Sequence, residues 1–321
     1  MLPDKPIKVD LQTTTNITTT YAGEFAGQYI AAALLSGVTL GNQLITIKPN
    51  VKYKEVVKRL SNADIVADST CDFTPTGTVT LDERILEPKE LQVNQQLCKN
   101  DFVSDWEAVQ MGYSAHDNLP PNFQQFFISH MIALVGQANE TTIWQGVGTN
   151  GGEYDGFTPL FQADSNVIDH DNPDAITAAN VITKLEEAYA LIPQEIYGTD
   201  DLMIYASPIV CRSYNIALGG FGAQGLGAAG YMSQGTVGEK PLNFAGIPMA
   251  MVNGMPANEF VIAQKRNLWF GTGLLSDQNE VKVLDMADID GSRNVRFVMR
   301  YTGGVQYGYG SEIVYSWNAT P

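Results

Sequence analysis

The sequence runs to 321 residues, 44% of them hydrophobic and 17% charged, which supplies apolar material for one large or two modest cores and excludes a disordered chain. Lys plus Arg number 19 against 35 Asp plus Glu, a net charge of −16, and a field of that sign repels phosphates and anionic membranes. Tight or sequence-specific DNA binding is therefore disfavoured, although coexistence with DNA is not. Three cysteines, Cys71, Cys98 and Cys211, are too few and too scattered for a disulfide framework or a cysteine-rich zinc site and read as small buried thiols. The start, Met1-Leu2-Pro3-Asp4-Lys5-Pro6, lacks a basic-then-apolar run, and nowhere do ~18 apolar residues follow one another, so neither a signal peptide nor a membrane anchor is expected.

A Thr-rich run from Thr13 to Thr20 opens the chain, and its β-branching favours an extended arm. Lys48, Lys52, Lys54, Lys58 and Arg59 then outnumber Glu55 and make the one local basic patch. From Asp64 to Val93 the pattern is strand-like, with Val79 and Leu81 alternating, Leu91 and Val93 alternating, and a turn at Thr74-Pro75-Thr76-Gly77. This predicts a long two-stranded ribbon with too few apolar residues to bury both faces, so it must rest on something else, such as a partner subunit.

Between Lys99 and Lys184 there is no Lys or Arg, whereas acidic residues such as Asp101, Asp105, Glu140, Asp155 and Asp171 recur. Within that electronegative span Asn118-Leu119-Pro120-Pro121 starts a helix, and Phe123, Phe127, Met131, Leu134 and Ala138 form one apolar stripe along it, ending near Gly146. A second helix is predicted from Thr177 as N-cap, with Ile176 and Val181 as hydrophobic staple, and Pro193 stops it. Leu202 to Ala206 reads as a short strand, and Ser207-Pro208 caps a third helix that finishes at Gly219-Gly220. Residues 219–238 are rich in glycine without an apolar period, as expected of a mobile loop. Beyond Asn258 alternation returns in Val281–Val283, Val295–Tyr301, Val305–Tyr309 and Ile313–Trp317, predicting an antiparallel sheet in the C-terminal quarter.

No motif carries catalysis. Two GxGxxG strings, at Gly146–Gly151 and Gly220–Gly225, follow helices, whereas a dinucleotide site needs the loop after a strand. His116, His130 and His170 are scattered, and His130 beside the apolar stripe reads as structural. Asp169-His170-Asp171 precedes Asn172-Pro173 and reads as loop, and Asp288–Gly291 lacks the further carboxylates of a calcium loop. GxSxG and HExxH are absent, so no catalytic, cofactor-binding or metal residue is assigned and no cofactor is expected.

The order of parts is more telling than any one motif: arm, ribbon, long helix in an acidic span, compact helix–strand–helix region, glycine-rich loop, antiparallel sheet. With it go the strings Thr78-Val79-Thr80-Leu81, Leu86-Glu87-Pro88-Lys89-Glu90-Leu91 and Cys98-Lys99-Asn100-Asp101-Phe102. Gln145-Gly146-Val147-Gly148-Thr149 with Tyr154-Asp155-Gly156-Phe157, Leu202-Met203-Ile204-Tyr205-Ala206-Ser207-Pro208, Phe244-Ala245-Gly246-Ile247-Pro248 and Asn267-Leu268-Trp269-Phe270-Gly271-Thr272-Gly273 complete the set. In these the chain resembles the major capsid protein of tailed bacteriophages, the Hong Kong 97-like fold, over nearly its whole length.

The resemblance implies an α+β fold with an N-terminal arm at 1–40, an E-loop region at 41–98, a P-domain with spine helix at 99–170, an A-domain at 171–275 and return strands of the P-domain at 276–321. It implies a non-enzymatic shell subunit that assembles as pentamers and hexamers into the icosahedral head around double-stranded DNA, in the virion capsid after assembly in the host cytoplasm. Its partners would be itself, portal, scaffolding and decoration proteins, and packaged DNA held without sequence specificity, with no membrane. An encapsulin-like compartment of the same fold and an acidic carbohydrate-active hydrolase are the alternative readings. Lys52, Lys54, Lys58 and Arg59 are the expected intersubunit contacts, facing the carboxylate-rich span of a neighbour. Some relatives cross-link an E-loop lysine to a neighbour's asparagine; Lys52, Lys54, Lys58 and Lys89 are available here, and none is assigned to the reactive position.

Overall fold

The structure, a computed structural model, describes residues 37–63, 66, 68, 78–98, 121–218, 242–273, 282–286, 289 and 291–317. The expected arm, the ribbon's turn, the glycine-rich loop at 219–238, Cys71 and His116 lie outside the described residues. In chain order the elements are α1 (Val38–Gly41), β1 (Thr46–Lys48), β2 (Glu55–Ala63), β3 (Thr78–Leu86), β4 (Lys89–Cys98), α2 (Pro121–Gln145) and α3 (Phe157–Ala163). There follow β5 (Ile168–Asp171), α4 (Val181–Ala190), β6 (Leu202–Ala206), α5 (Pro208–Ala217), β7 (Leu242–Phe244), β8 (Ile247–Met251) and β9 (Phe260–Gln264). The last are β10 (Leu268–Gly271), β11 (Lys282–Asp285), β12 (Asn294–Tyr307) and β13 (Val314–Trp317). This is the expected α+β content. The chain forms two compact units, a smaller one within 93–130 and 281–299 and a larger one within 33–92, 131–280 and 300–321.

The larger unit is built on a six-stranded sheet in the order β5-β13-β9-β6-β8-β7. Every residue of central β9 is buried, so its sequence Phe-Val-Ile-Ala-Gln shows no alternation. On one face Ile204, Phe260 and Ile262 meet Val181, Leu185 and Ala188 of α4 and Val210 and Tyr214 of α5 in one apolar cluster. On the other, Trp144 of α2 lies against Tyr205 and Phe157, with centroids 5.6 and 5.3 Å apart, and Phe161 of α3 lies 5.6 Å from Tyr315. In the same unit β10 pairs in parallel with β1 and antiparallel with the Gly304–Tyr307 half of β12. In the smaller unit β11 pairs antiparallel with Val295–Val298, and Arg296 donates to Gln96 of β4.

Five expectations are corrected. The ribbon spans Glu55–Leu86 rather than Asp64–Val93, because Pro88 offers no N–H and divides β3 from β4, which takes Leu91 and Val93. The buried face of α2 runs through Met131, Val135, Asn139, Thr142 and Ile143, while Leu134 and Ala138 are exposed. An apolar period does not reveal this face because two of its members are polar: Asn139 accepts from the Tyr154 hydroxyl and Thr142 Oγ1 donates to the Ala138 carbonyl. α4 begins at Val181; Thr177 instead makes a turn with Asn180, whose Oδ1 accepts from its amide, although Ile176 and Val181 are both buried as the staple requires. Asp169-His170-Asp171 is strand, not loop, and β13 leaves the C-terminal antiparallel group to lie parallel to β5 and antiparallel to β9.

Candidate interaction surface

β2 and β3 pair over nine residues, from Glu55 opposite Leu86 to Ala63 opposite Thr78. Alternation places Val56 and Lys58 on the same side as Ile85, Glu83 and Leu81. The side chains described there face solvent: Val56 is 47% exposed, Ile85 45% and Leu81 70%. Among the described residues nothing covers these three large apolar side chains on one face of the two-stranded ribbon.

The opposite side is anchored where the ribbon begins. Leu86 is fully buried, and the neighbouring Glu87-Pro88 backbone crosses Gly304 so closely that a Cβ there would lie 2.9 Å from the Glu87 carbonyl oxygen. Two residues outward, Arg84 donates to Asp164 Oδ2, at the C-terminal end of α3, and stacks 4.2 Å from the centre of the Tyr307 ring. The Tyr307 hydroxyl donates to the same oxygen at 2.7 Å, and the Asn166 amide and side chain donate to Asp164 Oδ1 at 3.0 and 2.8 Å. Partial burial pushes the Asp164 carboxyl up, but the bonds from Tyr307, the Asn166 amide, Arg84 and the Asn166 side chain outweigh it and hold it well below the carboxylate range. Gln306 donates to the Ile85 carbonyl. On the outgoing strand Lys48 bonds Glu55 at 2.6 Å and sits 4.7 Å over Trp269.

The four sequence-nominated cations fall in two places. Lys52 and Lys54 lie in the turn before β2, and Lys54 bonds Glu87 of its own chain at 2.7 Å; this bond, more than the charge alone, holds its pKa above the usual lysine value. Lys58 and Arg59 are in β2, in register with Glu83 and Asp82 of β3, so that the exposed Lys58 stands opposite a residue of opposite charge, Glu83. Lys89 donates to the Gly148, Asn150 and Glu153 carbonyls at 3.2, 3.5 and 2.6 Å, bracing the loop between α2 and α3. Sequence reasoning missed the Arg84, Asp164 and Tyr307 cluster because its members are 80 and 143 residues apart and no local spacing announces them.

Elsewhere, one arrangement has the residue types of a nucleophile with its base. His170 on β5 has Nδ1 3.0 Å from Ser316 Oγ and Nε2 3.2 Å from Glu187 Oε2. Ser316 is completely buried within the sheet, so no substrate reaches its hydroxyl and the ring serves to tie β5 to β13 and α4. Among the described residues no group of acidic, histidine and cysteine side chains is placed to hold a metal ion, and no helix is long and apolar enough to cross a membrane.

No protein-family model and no curated protein sequence matches this chain. Solved structures do match in fold. The capsid of a native GTA particle with C5 symmetry is 13% identical, covers 99% of both chains and superposes with a TM-score of 0.59. A structure of Gordonia phage Cozz is 11% identical over 96% of this chain and 92% of that one, with a TM-score of 0.59. The capsid of the cyanophage P-SCSP1u is 13% identical over 92% of each chain, with a TM-score of 0.53. The chain has the fold of these capsid structures, the Hong Kong 97-like fold.

Proposed function

We propose that this chain is the major capsid protein of a tailed phage, a non-enzymatic subunit whose copies assemble as pentamers and hexamers into the icosahedral shell around double-stranded DNA. The observation that carries the reading is the ribbon. It is a nine-pair ribbon whose bonds to the body, among the described residues, lie at its base, with Val56, Leu81 and Ile85 exposed on one face. A two-stranded hairpin gains little stability alone, so such a face is economical only where a neighbouring copy covers it, repeatedly and by symmetry. In this reading β2–β3 is the E-loop, α2 the spine helix of the P-domain, and the six-stranded sheet with α4 and α5 the A-domain. The virion capsid is its location and the host cytoplasm its place of assembly; portal, scaffolding and decoration proteins are its further partners.

Lys52, Lys58 and Arg59 supply intersubunit charge contacts in the same reading, with Lys54 divided between Glu87 and a neighbour. The net charge of −16 keeps packaged DNA from adhering to the wall, because like charges repel over a Debye length of ~8–10 Å. Light scattering over a concentration series, followed by negative-stain imaging, tests the proposal. Rings or closed shells are expected, and small soluble species at every concentration, with or without added scaffold, would overturn it.

A further inference from the structure

We infer that Arg84, Asp164 and Tyr307 form a latch that fixes the direction in which the ribbon leaves the body of the subunit, and through that direction the curvature of the assembly it builds. The part concerning direction stands on the geometry alone; the part concerning curvature rests on the function proposed above.

Inward of Arg84 the return strand is held by buried Leu86 and by the bond from Gln306 to the Ile85 carbonyl. Outward of it, Glu83, Leu81 and Thr80 are exposed, and the contacts shown for the strand are those of its register with β2. Arg84 is thus the outermost side chain of β3 shown bonded to the body, and it acts at the fulcrum of a lever. Six residues separate it from Thr78, roughly 20 Å at ~3.3 Å per residue, so a rotation of about 10° at the root carries that end of the strand about 3–4 Å. A displacement of that size is enough to misplace an apolar side chain against its partner.

The chemistry suits a direction-setting part. A guanidinium is planar, and here its edge is held by the carboxylate while its face lies on the Tyr307 ring, so both tilt and twist are opposed. The carboxylate is itself fixed by Tyr307 and by two bonds from Asn166. Because Arg84 and Leu86 share one side of the strand, holding that side against the body leaves Leu81 and Ile85 pointing outward. Lys48, bonded to Glu55 and lying over Trp269, steadies the outgoing strand in the same way.

The test uses the full chain and three variants. Arg84→Lys keeps the charge but loses the fork and the flat stack, Asp164→Asn removes the anion, and Tyr307→Phe keeps the ring but loses its hydroxyl bond. Two quantities are read: hydrogen exchange at the ribbon root, around 55–57 and 84–86, in the unassembled subunit, and the diameter distribution of assembled particles. Expected are an unchanged cooperative thermal transition for Arg84→Lys, exchange at the root faster by about tenfold or more, and particles of mixed diameter or open sheets. Tyr307→Phe should give a smaller change of the same kind. Parental exchange and parental diameters in Arg84→Lys would overturn the inference. Should Asp164→Asn fail to fold, Arg84→Lys decides alone. If the parent chain forms no particles, the proposed function fails while the exchange measurement still judges the latch.

Discussion

The ribbon and the six-stranded sheet are both β-structure, yet they reach stability by different routes. Along β9 every side chain is buried, and apolar residues of α4 and α5 and of the neighbouring strands cluster with it. Along β2–β3 nine residue pairs stand in register, each strand paired with the other, but Val56, Leu81 and Ile85 remain exposed. Hydrogen-bonded pairing therefore does not by itself finish a strand. The sheet has its complement among the described residues, and in the proposed function the ribbon finds one on another copy.

That contrast can be broken most severely from the sheet side. Gly254, between β8 and β9, passes so close to α2 that a Cβ would stand 2.0 Å from the Glu140 carbonyl oxygen, and backbone cannot yield as a side chain can. Gly254→Ala should cost about 4 kcal/mol or more, read as a loss of the cooperative thermal transition or a fall in Tm of about 10 °C. Next comes a matched pair of truncations. Ile262→Ala, in fully buried β9, should destabilise the subunit by about 3–4 kcal/mol in denaturant unfolding, whereas Leu81→Ser should change it by less than ~0.5 kcal/mol and yet abolish particle formation.

A third prediction concerns pH. Glu259 accepts from the Tyr315 hydroxyl at 2.6 Å, but burial outweighs that bond and pushes its carboxyl up to about 7, from an ordinary 4.5. The folded chain then holds a proton that the unfolded chain has released, so this group's contribution is fully present below pH 4.5 and is lost as pH rises through about 7. Glu259→Gln should flatten the decline across that window and leave the variant more stable at pH 8, by on the order of 2 kcal/mol in denaturant titrations. Asp164, held low, acts with the opposite sign, its contribution fading only as pH falls below the ordinary aspartate value of 3.8. The smallest expected effect on the subunit is that of charge reversal at Lys52 and Lys58. Thermal unfolding of the single chain should shift by no more than about 0.5 kcal/mol, the scale of an exposed charge pair such as that of Lys58 with Glu83, while particle yield falls, and an unchanged yield would remove these residues from the interface.

What the sequence made legible follows from how local each signal is. The α5 start at Ser207-Pro208, the end of α2 at Gln145 and the existence of the ribbon rest on residues next to one another, and the structure has all three. The ribbon's extent was misjudged because Lys58 and Arg59 look like a solvated charge run until Glu83 and Asp82 stand opposite them. The polar half of the α2 face escaped because Asn139 and Thr142 are buried through bonds to partners that an apolar period does not count. Least legible was the ribbon's root. Lys48 with Glu55 lay within reach of a local reading, but Arg84 finds Asp164 and Tyr307 only after the sheet, α3 and β12 are assembled.

The central claim is that the ribbon completes its burial on another copy of the chain. Hydrogen exchange at the ribbon amides of 55–63 and 78–86, compared between unassembled subunits and purified particles, tests it most directly. The account predicts that these amides become protected on assembly by a factor of about 100 or more, while those of β9 are slow in both states. Ribbon exchange equally fast in subunit and particle would contradict it.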